Sequence, residues 1–145
     1  MKTVQPWTLL VLTLCAVAII AAEPDAGPPG SVNNVMVTVV TPATNTIWGV
    51  EDPQTDEEWQ VLIDAAAQLI DAANQIKAGG TGPNDSAWAE APAWQQFADV
   101  LVESGMEIQA AARDRNLDQV IEVSNDKMYP PCEECHLQFH PGMQQ

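Results

Sequence analysis

Apolar residues recur along most of this chain at the three- and four-residue spacing of helices that bury one face. The plainest case runs from Trp59 through Leu62, Ile63, Ala66, Leu69, Ile70 and Ala73 to Ile76, with Asp64, Gln68, Asp71 and Gln75 on the other side. Thr55-Asp56-Glu57-Glu58 precedes it as a capping box, and Gly79-Gly80 stops it. A loop from Thr81 to Asp85 and an entry turn from Ser86 to Ala91 lead to Pro92, a residue suited to the first helical position. Trp94, Phe97, Leu101, Ile108 and Ala112 then repeat at helical spacing, and Gly105 within that run predicts a close approach of two backbones. Asn116, with Gln119 three residues on, caps a further helix whose stripe is Leu117, Val120, Ile121, Ser124 and Met128. Pro130-Pro131 is predicted to interrupt that helix, and a fresh turn starts at Pro131 and ends at Pro141-Gly142.

Between Ser31 and Val50 the pattern is divided, and no residue is charged. Val35-Met36-Val37-Thr38-Val39-Val40 has the β-branched content of a strand. Val32, Val35, Met36, Val39, Ala43 and Ile47 share one helical stripe. A lone strand would have nothing to pair with, so a helix is the expectation, bent where Pro42 removes a hydrogen bond to Thr38. Four helical segments with short connections predict an all-α domain over residues 31–145, an antiparallel four-helix bundle. In such a bundle the end of the last helix lies level with the start of the first, the end of the second and the start of the third. That level predicts a pocket walled by Val32, Val35, Val39, Leu69, Ile70, Ala73, Ile76, Trp94, Phe97 and Tyr129, each equally an ordinary core residue.

The first 22 residues stand apart. A basic start at Met1-Lys2, an apolar run from Trp7 to Ala22 and a polar exit at Glu23-Pro24-Asp25 have the order of a secretory signal peptide. As a helix those 16 residues reach about 24 Å, short of the roughly 30 Å of a hydrocarbon core, so cleavage after Ala22 is expected and an uncleaved anchor is the alternative. Cys15 belongs to this leader, and Glu23 to Gly30, rich in proline and glycine, is expected to be a flexible lead-in. Without the leader four basic residues stand against 20 acidic ones, a formal charge of −16. Such a surface repels nucleic acid and anionic lipid, and favours protein partners with basic docking surfaces.

The two remaining cysteines fall in Cys132-Glu133-Glu134-Cys135-His136. Two thiols one helical turn apart, followed at once by an imidazole, form the attachment signature of c-type haem: the sulfurs bond the haem vinyl groups and His136 ligates iron. A dithiol redox pair, a partial zinc site and inert structural cysteines are the other uses of this spacing. The iron's second axial position decides between an electron carrier and a gas binder. Met36 stands at the level expected for the haem, whereas Met106 is about 18 Å further along its helix than Trp94. Met128 shares the motif's helix, and His140 and Met143 lie on the proximal side. Met36 is therefore the candidate distal ligand, its alternative being a flexible core filler.

With these elements placed, the chain resembles the class II c-type cytochromes, the cytochrome c-prime family and its low-spin relatives. The resemblance covers Ser31 to Phe139 and rests on Met36, Pro42 and Trp48, on Thr55-Asp56-Glu57-Glu58-Trp59, and on Tyr129 with Cys132-Glu133-Glu134-Cys135-His136. It implies one haem bound covalently at the C-terminal end of the last helix, Cys132 and Cys135 as attachment points, His136 as proximal ligand and Met36 as distal ligand. Two departures stand out. Phe139 is followed by His140 where many members carry a basic residue, and the first helix lacks the arginine that often meets a haem propionate, leaving Lys77 and Lys127 as substitutes.

The expectation is a periplasmic mono-haem electron carrier rather than an enzyme. A five-coordinate gas-binding cytochrome is the alternative. One of another class is a haem-free metal-binding bundle using Cys132, Cys135, His136 and His140. The charge-free first helix further suggests a homodimer packed through it and part of the second helix, which a monomer in light scattering would remove.

Overall fold

The computed structural model describes residues 25–140 and Gly142. The leader with Cys15, Glu23, Pro24, Pro141 and Met143 lie outside the described residues. Those described form helices and no strand. α1 spans residues 32–48, α2 is Asp56–Ala78, α3 is Asp85–Ala89, α4 is Pro92–Arg113, and α5 spans residues 117–139. No helix among the described residues is long and apolar enough to cross a membrane.

α2 starts where its capping box predicts. Thr55 Oγ1 accepts the Glu58 N–H (3.2 Å), while Glu58 Oε2 accepts the N–H groups of Gln54 (2.7 Å) and Thr55 (3.0 Å). Those backbone donors, Gln54 first, hold the Glu58 carboxyl below its ordinary range. At the other end the side chains of α4 satisfy the last carbonyls of α2. Trp94 Nε1–H donates to Ile76 O (2.9 Å), and Gln95 Nε2–H donates to Lys77 O (2.9 Å) and Ala89 O (2.7 Å). Further along, Gln109 Nε2–H donates to Ile63 O (3.3 Å), and Arg115 pairs with Asp56. Numbers rise along α4 as they fall along α2, and the two helices pack along their length.

Their contact is close at Gly105. A Cβ there would lie 2.8 Å from Ile70 Cγ1 and 3.5 Å from Ala66 O. Gly105→Ala is expected to destabilise the fold by about 1–3 kcal/mol despite alanine's better helix propensity, read from urea unfolding midpoints. Ile47, Leu62, Leu69, Ile108, Val120 and Met128 are fully buried and join α1, α2, α4 and α5 in one core.

Proline changes the helices in a way their periodicity does not predict. In α1 the α-helical Val32–Val35 and Thr41–Trp48 are joined by a π-helical turn, Met36–Val40, directly ahead of Pro42. In α5 the π-helical Val123–Met128 precedes Pro130-Pro131, and the chain keeps right-handed helical angles at Met128 and Tyr129. The predicted interruption at Pro130-Pro131 is therefore absent: α5 runs unbroken from Leu117 to Phe139. A wider turn ahead of each proline relieves the clash between its ring and the carbonyl four residues back, and lets the helix continue.

The described part of the lead-in makes hydrogen bonds to the rest of the fold. Thr81 N–H donates to Gly30 O (3.1 Å), Thr81 Oγ1 donates to Pro29 O (2.9 Å), and Asn33 Nδ2–H donates to Asp25 O (2.8 Å). Asp85 completes this knot. The residue is 3 % exposed, and Oδ2 accepts the N–H groups of Val32 and Gly82, both at 2.8 Å. An anion thus faces the first N–H of α1, where the helix dipole favours it.

Candidate functional site

A cavity of about 540 Å³ lies between α1 and α5, with α2, α3 and α4 closing its back. It falls within the roughly 300–1,000 Å³ range of organic-ligand pockets. The α1 wall is the row Val32, Met36, Val40, Thr44 and Trp48, and Asn33, Val37, Thr41 and Asn45 form the adjoining row. Asn33, Thr41, Asn45 and Trp48 are exposed, so the cavity reaches the surface along this edge. α5 contributes Met128, Pro131, Cys132, Cys135, His136, Phe139 and His140. The back is Ile76, Trp88, Trp94, Phe97, Ala98 and Leu101, apolar throughout.

Two groups of aromatic contacts hold α5 in place. Phe139 meets Trp94 (5.1 Å, 86°), Trp88 (6.3 Å) and Phe97 (6.4 Å) edge on, and Trp88 stacks on Trp94 at 5.4 Å. One turn before Phe139, Cys135 and His136 are fixed against the cavity by this cluster. Towards the other end, Trp48 reaches from α1 to α5: its Nε1–H donates to Ser124 O (3.4 Å) and its ring meets Tyr129 edge on (6.2 Å, 72°).

The thiols are half-buried, and burial pushes Cys132 up to about 11 and Cys135, with Cys132 as a lesser contributor, also to about 11. Both are neutral at pH 7. This opposes the dithiol redox reading, which needs a depressed thiol pKa. From an ordinary value of 9.0 the shift leaves about 100-fold less thiolate below pH 9. Alkylation of the folded haem-free chain at pH 8 is accordingly expected to be at least about 100-fold slower than that of the urea-unfolded chain, followed by mass spectrometry. His136 is half-buried as well. Burial first, then the neighbouring His140 at 5.8 Å, lowers its pKa and leaves a neutral imidazole with a free lone pair at neutral pH. Among the described residues no three His, Cys, Asp or Glu side chains gather as a group that could hold a metal ion.

Met36, Cys132, Cys135 and His136 line one cavity, with Val32, Ile76, Trp94 and Phe97 beside them. The other residues expected at the wall lie outside this cavity's lining. Val35, Leu69 and Ala73 are buried in the core, and Val39 packs against it. Ile70 faces Gly105. Tyr129 is exposed beside Trp48. Lys77 pairs with Asp99, while Lys127 pairs with Glu107 (2.6 Å) and Glu103 (3.6 Å), so neither lysine lines the cavity. Sequence reasoning missed Val40, Thr44, Trp88, Leu101, Phe139 and the cavity-facing role of Met128. The repeat of four through Val32, Met36, Val40, Thr44 and Trp48 was the signal available for the α1 wall. No protein-family model, curated protein or solved structure matches this chain.

Proposed function

We propose that this chain is an antiparallel four-helix-bundle c-type cytochrome that carries single electrons between periplasmic redox proteins. The observation that carries the reading is convergence: Met36 and the Cys132-Cys135-His136 group, nearly a hundred residues apart in the chain, line one mostly apolar cavity of about 540 Å³. The donor set fits haem c. Cys132 and Cys135 would be the attachment points, in the neutral thiol form that adds to a vinyl group, and His136 and Met36 would ligate the iron. Bound haem supplies a ferric/ferrous couple.

The chain's own residues do the rest. Trp94 and Phe97 keep water from the cavity's back, and Phe139 holds the helix that bears His136. Together with the His136 imidazole, the Met36 thioether would favour the reduced state of a bound haem and leave little to rearrange on electron transfer. The acidic surface attracts partners with basic docking faces, an attraction that weakens with salt.

The test is to produce the full chain in cells that attach c-type haem and measure its intact mass, followed by a redox titration. One covalent haem per chain and a one-electron Nernst curve support the reading. A chain of unmodified mass in cells that load a control cytochrome refutes it.

A further inference from the structure

We infer that Thr41 and Pro42 are positioning residues: through the π-helical turn they close, they direct Met36 out of the core and into the cavity. The inference rests on the reading of Met36 as iron ligand. The cavity row of α1 is Val32, Met36, Val40, Thr44 and Trp48, each four residues after the last. In an unbroken α-helix a step of four overshoots one turn by about 40°, so a row of five such positions wanders by about 160°. One extra residue in the turn takes back about 100° of this drift.

The consequence for Met36 is specific. In an unbroken α-helix it would stand above the residue seven positions on, Ala43, which is 2 % exposed and belongs to the core rather than the cavity. With one extra residue it stands above Thr44, which lines the cavity. A methionine serving only as core filler needs no such insertion, since the regular helix would bury it. The turn is costly backbone geometry, spent at the point where a thioether must leave the core for the cavity.

The residues that hold the turn are on its C-terminal edge. Pro42 has no N–H for Thr38 O, and in α-helical register its ring would press on that carbonyl. The Thr41 N–H reaches five residues back to Met36 O, and Thr41 Oγ1 donates to the same oxygen at 2.9 Å. Met36 is thus the residue on which the π turn closes.

The test uses the haem-loaded full chain and the weak far-red sulfur-to-ferric absorption band, with haem content by intact mass. Pro42→Ala, which removes the clash and restores a donor, lets the full-length turn return to α-helical register with Met36 above Ala43. The band is expected to be lost, and carbon monoxide binding to appear, at unchanged haem content. Deletion of Thr38, an exposed residue inside the turn, instead removes the extra residue and keeps Met36 above Thr44, so it should retain the band. Thr41→Val should weaken it and Thr41→Ser retain it, a split that a purely structural role at this exposed site would not produce. If the wild-type band disappears in Met36→Ala but survives both Pro42→Ala and Thr41→Val, the ligand stands and the positioning role is overturned. A wild-type protein without the band overturns both.

Discussion

The double variant Cys132→Ala with Cys135→Ala is expected to emerge from haem-attaching cells with no covalent haem and with a melting temperature lower by about 10 °C or more. Both thiols line the cavity, and on the proposed reading each supplies one thioether. Without them a group that binds only the folded state is no longer tethered, and its contribution to stability depends on its free concentration. A cavity of about 540 Å³, far larger than a deleted side chain leaves, is then open to water or partial collapse. Each single variant should retain one thioether and remain coloured under denaturing electrophoresis. Equal melting of the wild type and the double variant, both produced in those cells, would mean that the cavity contributes no bound group to stability.

Asp85→Ala is expected to cost about 3–5 kcal/mol, one of the largest effects of any substitution away from the cavity. Oδ2 accepts two N–H groups at 2.8 Å in a buried setting, and alanine would orphan both donors. Asparagine can present one oxygen to both, so Asp85→Asn should cost only about 1–2 kcal/mol, the charge-assisted part. Asp85→Glu has no room to compensate. Side-chain oxygens of Asp85 already lie 2.6 Å from where a Cβ on Gly80 or Gly82 would stand, so the cradle is filled. Urea unfolding of the three variants checks the order Asn milder than Ala. Because Asp85 anchors Val32, one turn before Met36, the damage should be felt at the cavity's α1 wall.

What could be read from the sequence, and what could not, divides along physical lines. α2 was legible because Thr55 and Glu58 cap it with bonds local in sequence and its stripe keeps one period. Helix for residues 32–48 was legible from the absence of a strand partner. The π turns were not, because a single period of 3.6 was assumed and a proline read as a break; both helices instead absorb their prolines by widening the turn before them. That Met36 and the motif residues line one cavity was legible from their level in the helices. The rest of the lining was less so: Leu69, Ile70 and Ala73 look inward on a helical projection, but Ile70 meets α4 at Gly105, and Leu69 and Ala73 are buried in the core. Asp85 left no trace, since its partners Val32 and Gly82 are set by tertiary contact across 53 residues in one case and a glycine loop in the other.

We propose that His136 and Met36 would both hold the iron of a bound haem, oxidised and reduced. Absorption spectra of the haem-loaded chain, oxidised and reduced, with and without carbon monoxide, test it most directly. The account predicts a low-spin spectrum with the far-red sulfur-to-ferric band, insensitive to carbon monoxide, and loss of that band with carbon monoxide binding in Met36→Ala. A high-spin spectrum that shifts promptly with carbon monoxide in the wild-type protein would contradict it, and would make Met36 a packing residue in a gas-binding cavity.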